Sequence, residues 1–329
     1  MEDYTMKISK SIATASKPVV PIFFAVDDNY VPFLCVALRS LCDNCSSRYD
    51  YKIHILTETL STASCDAIKK FETENIKISF VDVREKLKNL CQRLHIRDYY
   101  SKATYYRFFV PDMFPEYERG LYLDCDIVIN CDIARLYNCP LGNNLVGAIP
   151  EEVMTDIDIF GRYSEVVLNI PRNEYFNAGI LVMNLKKMRE IEIEKRFSEL
   201  LNLRTYRVAQ DQDYLNVICH GKVFYLNKKW NKTPMPDSCE SIVPHIVHYK
   251  INFKPWRYDD IPYACHFWKY ADRTEFGETL HKIKESYSDE EKSRDAAQYE
   301  GLVALAAEEI SRESNAVYSQ IQDCCTEAI

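Results

Sequence analysis

Near the start of the chain, three short apolar runs, Val19–Val26, Tyr51–Leu56 and Ile76–Val81, are separated by stretches with apolar residues at helical spacing, Tyr30–Leu41 and Ser61–Glu74. Strands that alternate with helices have both faces covered, so this spacing predicts an α/β fold around a mainly parallel sheet. Further along, Arg119–Ile129, Leu145–Ile149, Ala178–Asn184 and Val243–Tyr249 read as strands. Lys186–Leu203 and Asp211–Cys219 read as helices, as does Tyr105–Val110, which ends at Pro111. No internal repeat is visible. From about Ser286 the composition turns to Glu, Lys, Ala and Ser without proline, which predicts one or two terminal helices packed on the body or on a partner. The expected division is a polar segment over 1–18, an α/β domain over 19–285 and a helical tail over 286–329.

A chain of 329 residues, 47% hydrophobic, is long enough to bury a substantial core. Its formal net charge of −8 argues against a surface built for nucleic acid, and an anionic small molecule would need a local counter-charge. Met1–Lys17 is polar and lacks the apolar core of a secretory signal, and no run approaches the ~20 apolar residues that span a bilayer. A cytoplasmic protein without a transmembrane segment is therefore expected. Thirteen scattered cysteines, an odd number in a long chain, suit a reducing compartment better than a disulfide framework. Cys42-x-x-Cys45 closes an expected helix and has no second pair at metal spacing, so both are read as reduced thiols, and Cys324-Cys325 is uninformative.

The segment Leu121-Tyr122-Leu123-Asp124-Cys125-Asp126-Ile127-Val128-Ile129 places two acids inside an apolar run. In an extended chain residues i and i+2 share a face, so Asp124 and Asp126 would point the same way. Two buried carboxylates cannot stay ionised there without a compensating charge, and a divalent cation would provide it. The competing explanation is a strand that exits into solvent with its acids wetted or capping a turn.

Asp27, Asp28 and Asn29 follow the first strand, where open α/β sheets bind ligands. With only 8 glycines in the chain and none in that turn, neither a dinucleotide fingerprint nor a P-loop is present. Asp27 would suit the base or ribose end of a nucleotide, whose pyrophosphate would need a metal held by Asp124 and Asp126 and a Lys or Arg. His248 ends an expected strand and is the best third ligand, although a lone histidine at a strand end is more often a hydrogen-bonded structural residue. Two carboxylates and an imidazole suit Mn²⁺, with Mg²⁺ less suited, and argue against thiolate zinc. Lys254 would bring positive charge or be a plain surface lysine. Glu174–Gly179 puts an amide and a glycine at a strand start, with a simple turn as the alternative, and Gln210–Asp213 opens a helix, where a cap also explains the acids.

Taken in order, Phe24-Ala25-Val26-Asp27-Asp28-Asn29-Tyr30, Tyr106-Arg107, Leu123-Asp124-Cys125-Asp126, Phe176-Asn177-Ala178-Gly179, Asp211-Gln212-Asp213 and His248-Tyr249 through Lys254-Pro255-Trp256 resemble the motif series of glycosyltransferase family 8 over roughly residues 20–270. The resemblance implies a GT-A fold, Rossmann-like and mainly parallel, with Mn²⁺ dependence, UDP-sugar donors and retention of anomeric configuration. It implies metal ligation by Asp124, Asp126 and His248. It implies donor contacts from Ala25, Asp27, Asn29, Arg107, Cys125, Asn177 and Lys254, and places Gln212, Asp211 and, by a looser alignment, Glu151 around the reacting sugar. One departure stands out: the family commonly has glycine in the loop between the histidine and the lysine, and here that residue is Ile251.

The expected activity is that of a retaining hexosyltransferase, moving galactose or glucose from UDP-galactose or UDP-glucose to a hydroxyl of a glycan or lipid-linked saccharide. Retention needs a covalent carboxylate intermediate or attack on the face that the leaving group departs, and glutamine at 212 favours the second. The alternatives are a non-catalytic sugar-nucleotide-binding scaffold and a metal-dependent sugar nucleotidyltransferase. The 23 tyrosines keep self-glycosylation open as a variant. Peripheral contact with the inner face of the membrane and homo-oligomerisation are both compatible with the sequence.

Overall fold

The computed structural model describes residues 16–88, 94, 102–235 and 243–326, from 315 onward by backbone alone. Most of the polar segment expected over 1–18 thus lies outside the described residues. In chain order the elements are β1 (Val19–Ala25), α1 (Val31–Asn44), β2 (Asp50–Thr57), α2 (Thr62–Lys69), β3 (Ile76–Asp82), α3 (Arg84–Leu87), α4 (Val110–Met113), β4 (Gly120–Leu123), β5 (Ile127–Ile129), α5 (Ala134–Tyr137), β6 (Val146–Pro150), α6 (Glu152–Asp156), α7 (Asp158–Val167) and β7 (Phe176–Met183). They continue with α8 (Leu185–Glu190), α9 (Ile193–Leu203), α10 (Asp211–Cys219), β8 (Val223–Tyr225), β9 (Ile246–His248), α11 (Ala264–Ala271), α12 (Gly277–Ser286) and α13 (Asp289–Thr326).

Seven strands form one sheet in the order β3-β2-β1-β4-β7-β6-β8, and only β7 runs against the others. The fold is the mixed, mainly parallel α/β architecture that the alternation predicts. Alternating residues of the central strands feed two cores. Val20, Ile22 and Phe24 of β1 join Leu121, Leu123, Ile180 and the α1 residues Leu34 and Leu38 on one face. Phe23, Tyr122 and Leu181 join Phe160, Phe197 and, from the tail helix, Ala306 and Ile310 on the other. Burial on both faces is why these strands read as continuous apolar runs.

Three expected elements differ. The strand Arg119–Ile129 is two strands: β4 ends at Leu123, and the chain bends through Asp124-Cys125-Asp126 before β5 pairs antiparallel with β9, Ile127 opposite His248. Backbone bonds from Asp124 N to Gly179 O (2.7 Å) and from Tyr249 N to Asp126 O (2.9 Å) hold the bend. The two acids therefore converge because the chain turns out of one sheet into another, and not because they share one strand face. Lys186–Leu203 is likewise two helices, α8 and α9, parted at Glu192, whose φ is 54°. Pro111 opens α4 in place of ending a helix, since the first turn needs no N–H from it. A 3₁₀ turn over Lys102–Phe108 precedes it.

The tail is a single 38-residue helix, α13. Asp295 on it is buried and accepts from Tyr258 (2.9 Å) and Tyr287 (2.7 Å), with Arg257 at 3.2 Å. Lower down, Glu309 pairs with Arg207 (3.0 Å) and Glu313 with Arg204 (2.7 Å). Among the described residues, no helix is long and apolar enough to cross a membrane.

Candidate active site

The carboxyl ends of β1, β4 and β6 open onto one cleft. Because β7 runs the other way, its first residues arrive at the same edge. The pairing of Ile149 with Asn177 and of Pro150 with Phe176 sets the start of β7 beside the end of β6, so Asn177 meets Glu151. Ala25, Asp27, Arg107, Asp124, Cys125, Asp126, Glu151, Asn177, Asp211, Gln212, His248 and Lys254 all line this cleft. Asn29 does not: it is exposed, with its N–H on the Asp27 carboxylate (3.0 Å).

Asp124, Asp126 and His248 each offer a ligand atom, all within 4.8 Å of one another. His248 Nε2 lies 3.2 Å from Asp126 Oδ1 and 3.7 Å from Asp124 Oδ2. Its other nitrogen, Nδ1, is 3.0 Å from Asn231 Oδ1. The Asn231 amide nitrogen donates to Asn177 Oδ1 (2.8 Å), and the Asn177 nitrogen donates to Glu151 Oε2 (2.6 Å). This chain of amides leaves Asn231 Oδ1 as an acceptor for Nδ1, which turns Nε2 toward the two acids, as a cation ligand requires. Gly179 makes room for the cluster, because a Cβ there would collide with both Asp124 and His248. The residues present fit a divalent cation with oxygen and imidazole ligands.

The acids, for which the sequence points mainly to a metal, are also served by the protein's own cations. Lys254, buried and not a surface lysine, donates to Asp126 Oδ2 (2.6 Å) and to Tyr249 O (2.7 Å). Arg107 stacks on Tyr122 at 4.2 Å and reaches Asp124 (3.3 Å) and Asp211 (3.1 Å). Burial pushes the Asp126 carboxyl up, but Lys254 and His248 outweigh it and hold the group well below the usual carboxylate range. At Asp211 burial wins over Arg107, and Asp124 adds repulsion, so that carboxyl is pushed up to about 6. Burial also drives the Cys125 thiol far up, which leaves it neutral beside the acids, with Sγ 3.3 Å from Ala25 O.

Beside Asn177, Gln212 Oε1 accepts from Ala178 N (2.9 Å) and lies 3.3 Å from the Asn177 amide nitrogen. Asp213, next in the same motif, is fully buried away from the cleft and accepts from Tyr175 (2.8 Å) and Tyr163 (2.9 Å), so its role is structural. Two non-glycine residues with positive φ flank the site: Gln210 (φ 51°), just before Asp211, and Ile251 (φ 54°), in the loop after His248. The β-branched Ile251 thus holds a conformation that glycine adopts without strain. Sequence reasoning missed Asn231 and Lys250. Asn231 lies in no motif and nothing in the chain singles it out; Lys250, a buried partner of Glu151, stood inside the His-to-Lys loop as a basic residue of no assigned use.

The profile of glycosyl transferase family 8 matches residues 21–260. The chain belongs to this family. It is 30% identical over 216 residues to a putative glycosyltransferase of Haemophilus influenzae, a match covering 65% of this chain and 63% of that protein. It is also 26% identical over 253 residues to a lipopolysaccharide 1,2-glucosyltransferase of Escherichia coli, covering 71% of this chain and 72% of that one. Among solved structures, the galactosyltransferase LgtC in complex with donor and acceptor sugar analogues superimposes with a TM-score of 0.64 at 27% identity, covering 78% of this chain and 96% of that one. The bifunctional glycosyltransferase WbbM gives 0.72 at 25% identity, covering 82% of this chain but 52% of its own. The chain shares the GT-A fold of these glycosyltransferases, and α13 lies beyond the segment that the family profile covers.

Proposed function

We propose that this family 8 protein transfers a hexose, galactose or glucose, from a UDP-sugar to a hydroxyl of a saccharide acceptor, with retention at the anomeric carbon and dependence on Mn²⁺. The observation that carries the reading is the Asp124–Asp126–His248 cluster at the carboxyl edge, oriented by Asn231 and flanked by Arg107 and Lys254. Asp124, Asp126 and His248 would hold the metal, and a divalent ion bound there supplies positive charge for the leaving diphosphate. The apolar Ala25 and Val26 with Asp27 and Tyr30 offer the wall for the nucleoside. Glu151, Asn177, Asp211 and Gln212 offer hydrogen-bonding groups for the sugar.

Same-face substitution is the favoured route. Gln212 is an amide whose oxygen already accepts a backbone N–H, which makes it a feeble nucleophile. Glu151 is tied to Lys250 and Asn177, and Asp211 is set against Arg107, so neither acid stands unencumbered for a covalent adduct. In this route the acceptor's proton goes to the departing phosphate oxygen. Screening UDP-sugars for Mn²⁺-dependent UDP release tests the assignment without knowledge of the acceptor; no release with any UDP-hexose would reject it. Mass spectrometry that trapped a glycosyl adduct on Glu151 or Asp211 would reject the same-face route alone.

A further inference from the structure

One part of the cleft has no counterpart in the polar machinery just described. Met154 of α6, Phe160 of α7, Val208 and Ile251 line it together with Tyr299 and Leu302 of α13. All six belong to one apolar cluster, and Phe160 and Tyr299 meet ring to ring at 6.4 Å. Tyr299 and Leu302 sit three residues apart on the helix and so present neighbouring side chains. The helix that carries them is fixed by the Asp295 and Glu309 contacts to the segments leading from His248 and toward Asp211. It is therefore a built wall of the cleft, supplied from outside the family-matched segment.

We propose that this wall is an acceptor subsite, and that Tyr299 and Leu302 select acceptors bearing an apolar group, such as an alkyl or aryl aglycone, next to the sugar that accepts the hexose. The proposal rests on the function given above. A bare pyranose is rimmed with hydroxyls that need polar partners, and the six side chains supply almost none; they gain free energy only by covering apolar surface. The wall shares one cleft with the metal-ligand cluster, so an apolar group held there keeps the attached sugar in the same space as the donor. The reaction itself is unchanged: the acceptor oxygen forms the new bond to the anomeric carbon, the bond to the UDP oxygen breaks, and the hydroxyl proton leaves with UDP.

The test compares methyl with octyl, and methyl with 4-nitrophenyl, glycosides of the same sugars as acceptors for the full chain with Mn²⁺ and UDP-glucose or UDP-galactose. In the wild-type protein kcat/KM should favour the apolar member of a pair by on the order of tenfold to a hundredfold. In Leu302→Gln and Tyr299→Ala that ratio should fall toward one, and Leu302→Met should retain it. Because a ratio is read, a general loss of folded protein does not imitate the effect. Equal use of both members by the wild type, use of neither despite UDP release, or an unchanged ratio in both variants would overturn the subsite. Absence of UDP release from the wild type would overturn the transferase reading itself and this inference with it.

Discussion

Asp126 and Asp211 are carboxylates sunk into one cleft, each beside a buried cation, yet their acidities move in opposite directions. Asp126 has Lys254 at 2.6 Å and the His248 ring at 3.2 Å. Asp211 shares its Arg107 with Asp124, and its nearer oxygen makes no aligned hydrogen bond. Burial costs both groups charge stability, and only the first has enough local positive charge to outweigh it. The cleft thus has one end in electrostatic balance and one end short of positive charge. The short end is where the sugar of the donor is proposed to lie.

The largest expected effect is at the balanced end. Asp126→Ala should lower Mn²⁺-dependent UDP release by at least about a hundredfold, and it should also destabilise the fold by roughly 3–5 kcal/mol, because Lys254 is left buried without its carboxylate. Thermal melts beside the activity assay would show both; an unchanged melting temperature would mean that Lys254 finds another partner. The expectation from sequence alone, that a metal is what satisfies this acid, predicts no such loss.

At the other end, the sign follows from the raised carboxyl of Asp211. Its ordinary value of 3.8 rises to about 6 in the folded chain, so the folded state binds the extra proton, and stability is lost as pH rises through that window. The full shift corresponds to about 3 kcal/mol. Melts of metal-free protein between pH 4 and 7 should show wild type losing stability relative to Asp211→Asn as pH increases. Parallel curves would place the shortage of positive charge elsewhere.

Asn231→Ala sharpens the contrast from a distance, by freeing the His248 ring without touching a ligand atom. Mn²⁺ affinity, measured by titration calorimetry, should weaken by about ten- to a hundredfold while the fold remains. Full affinity would show that the two acids alone orient the site. The smallest effect concerns the strained residues that stand one at each end, Ile251 and Gln210. Ile251→Ala loses packing and keeps the strain, and Ile251→Gly loses both. The glycine variant should therefore be the more stable of the two by about 1 kcal/mol in denaturant unfolding; an alanine variant at least as stable would show that the loop relaxes once the side chain is gone.

Much of the site was legible because its parts are short motifs at the ends of recognisable elements. The Asp27 turn, Asp124 and Asp126, Asn177 and Gly179 at the start of β7, and Asp211 with Gln212 at the start of α10 all fall where strands and helices begin or stop. Asn231 was not legible, since an amide acts here only through the histidine that folding brings beside it. The bend at Asp124–Asp126 was hidden by its flanking apolar residues, which look alike whether they continue a strand or change sheets. Tyr299 and Leu302 read as ordinary tail residues, because helical spacing shows which side of a helix is apolar and not what it faces.

Local pattern determined the α/β class, the order of most elements and the types of residue available for the proposed cation and sugar nucleotide, since periodicity and motif spacing are properties of neighbouring residues. Tertiary structure decided which cation answers which acid, the orientation of the His248 ring, the left-handed backbone at Ile251 and the use of α13 as a wall of the cleft. Those depend on groups far apart in the chain, and the free energies that set them arise only when folding excludes water from between them.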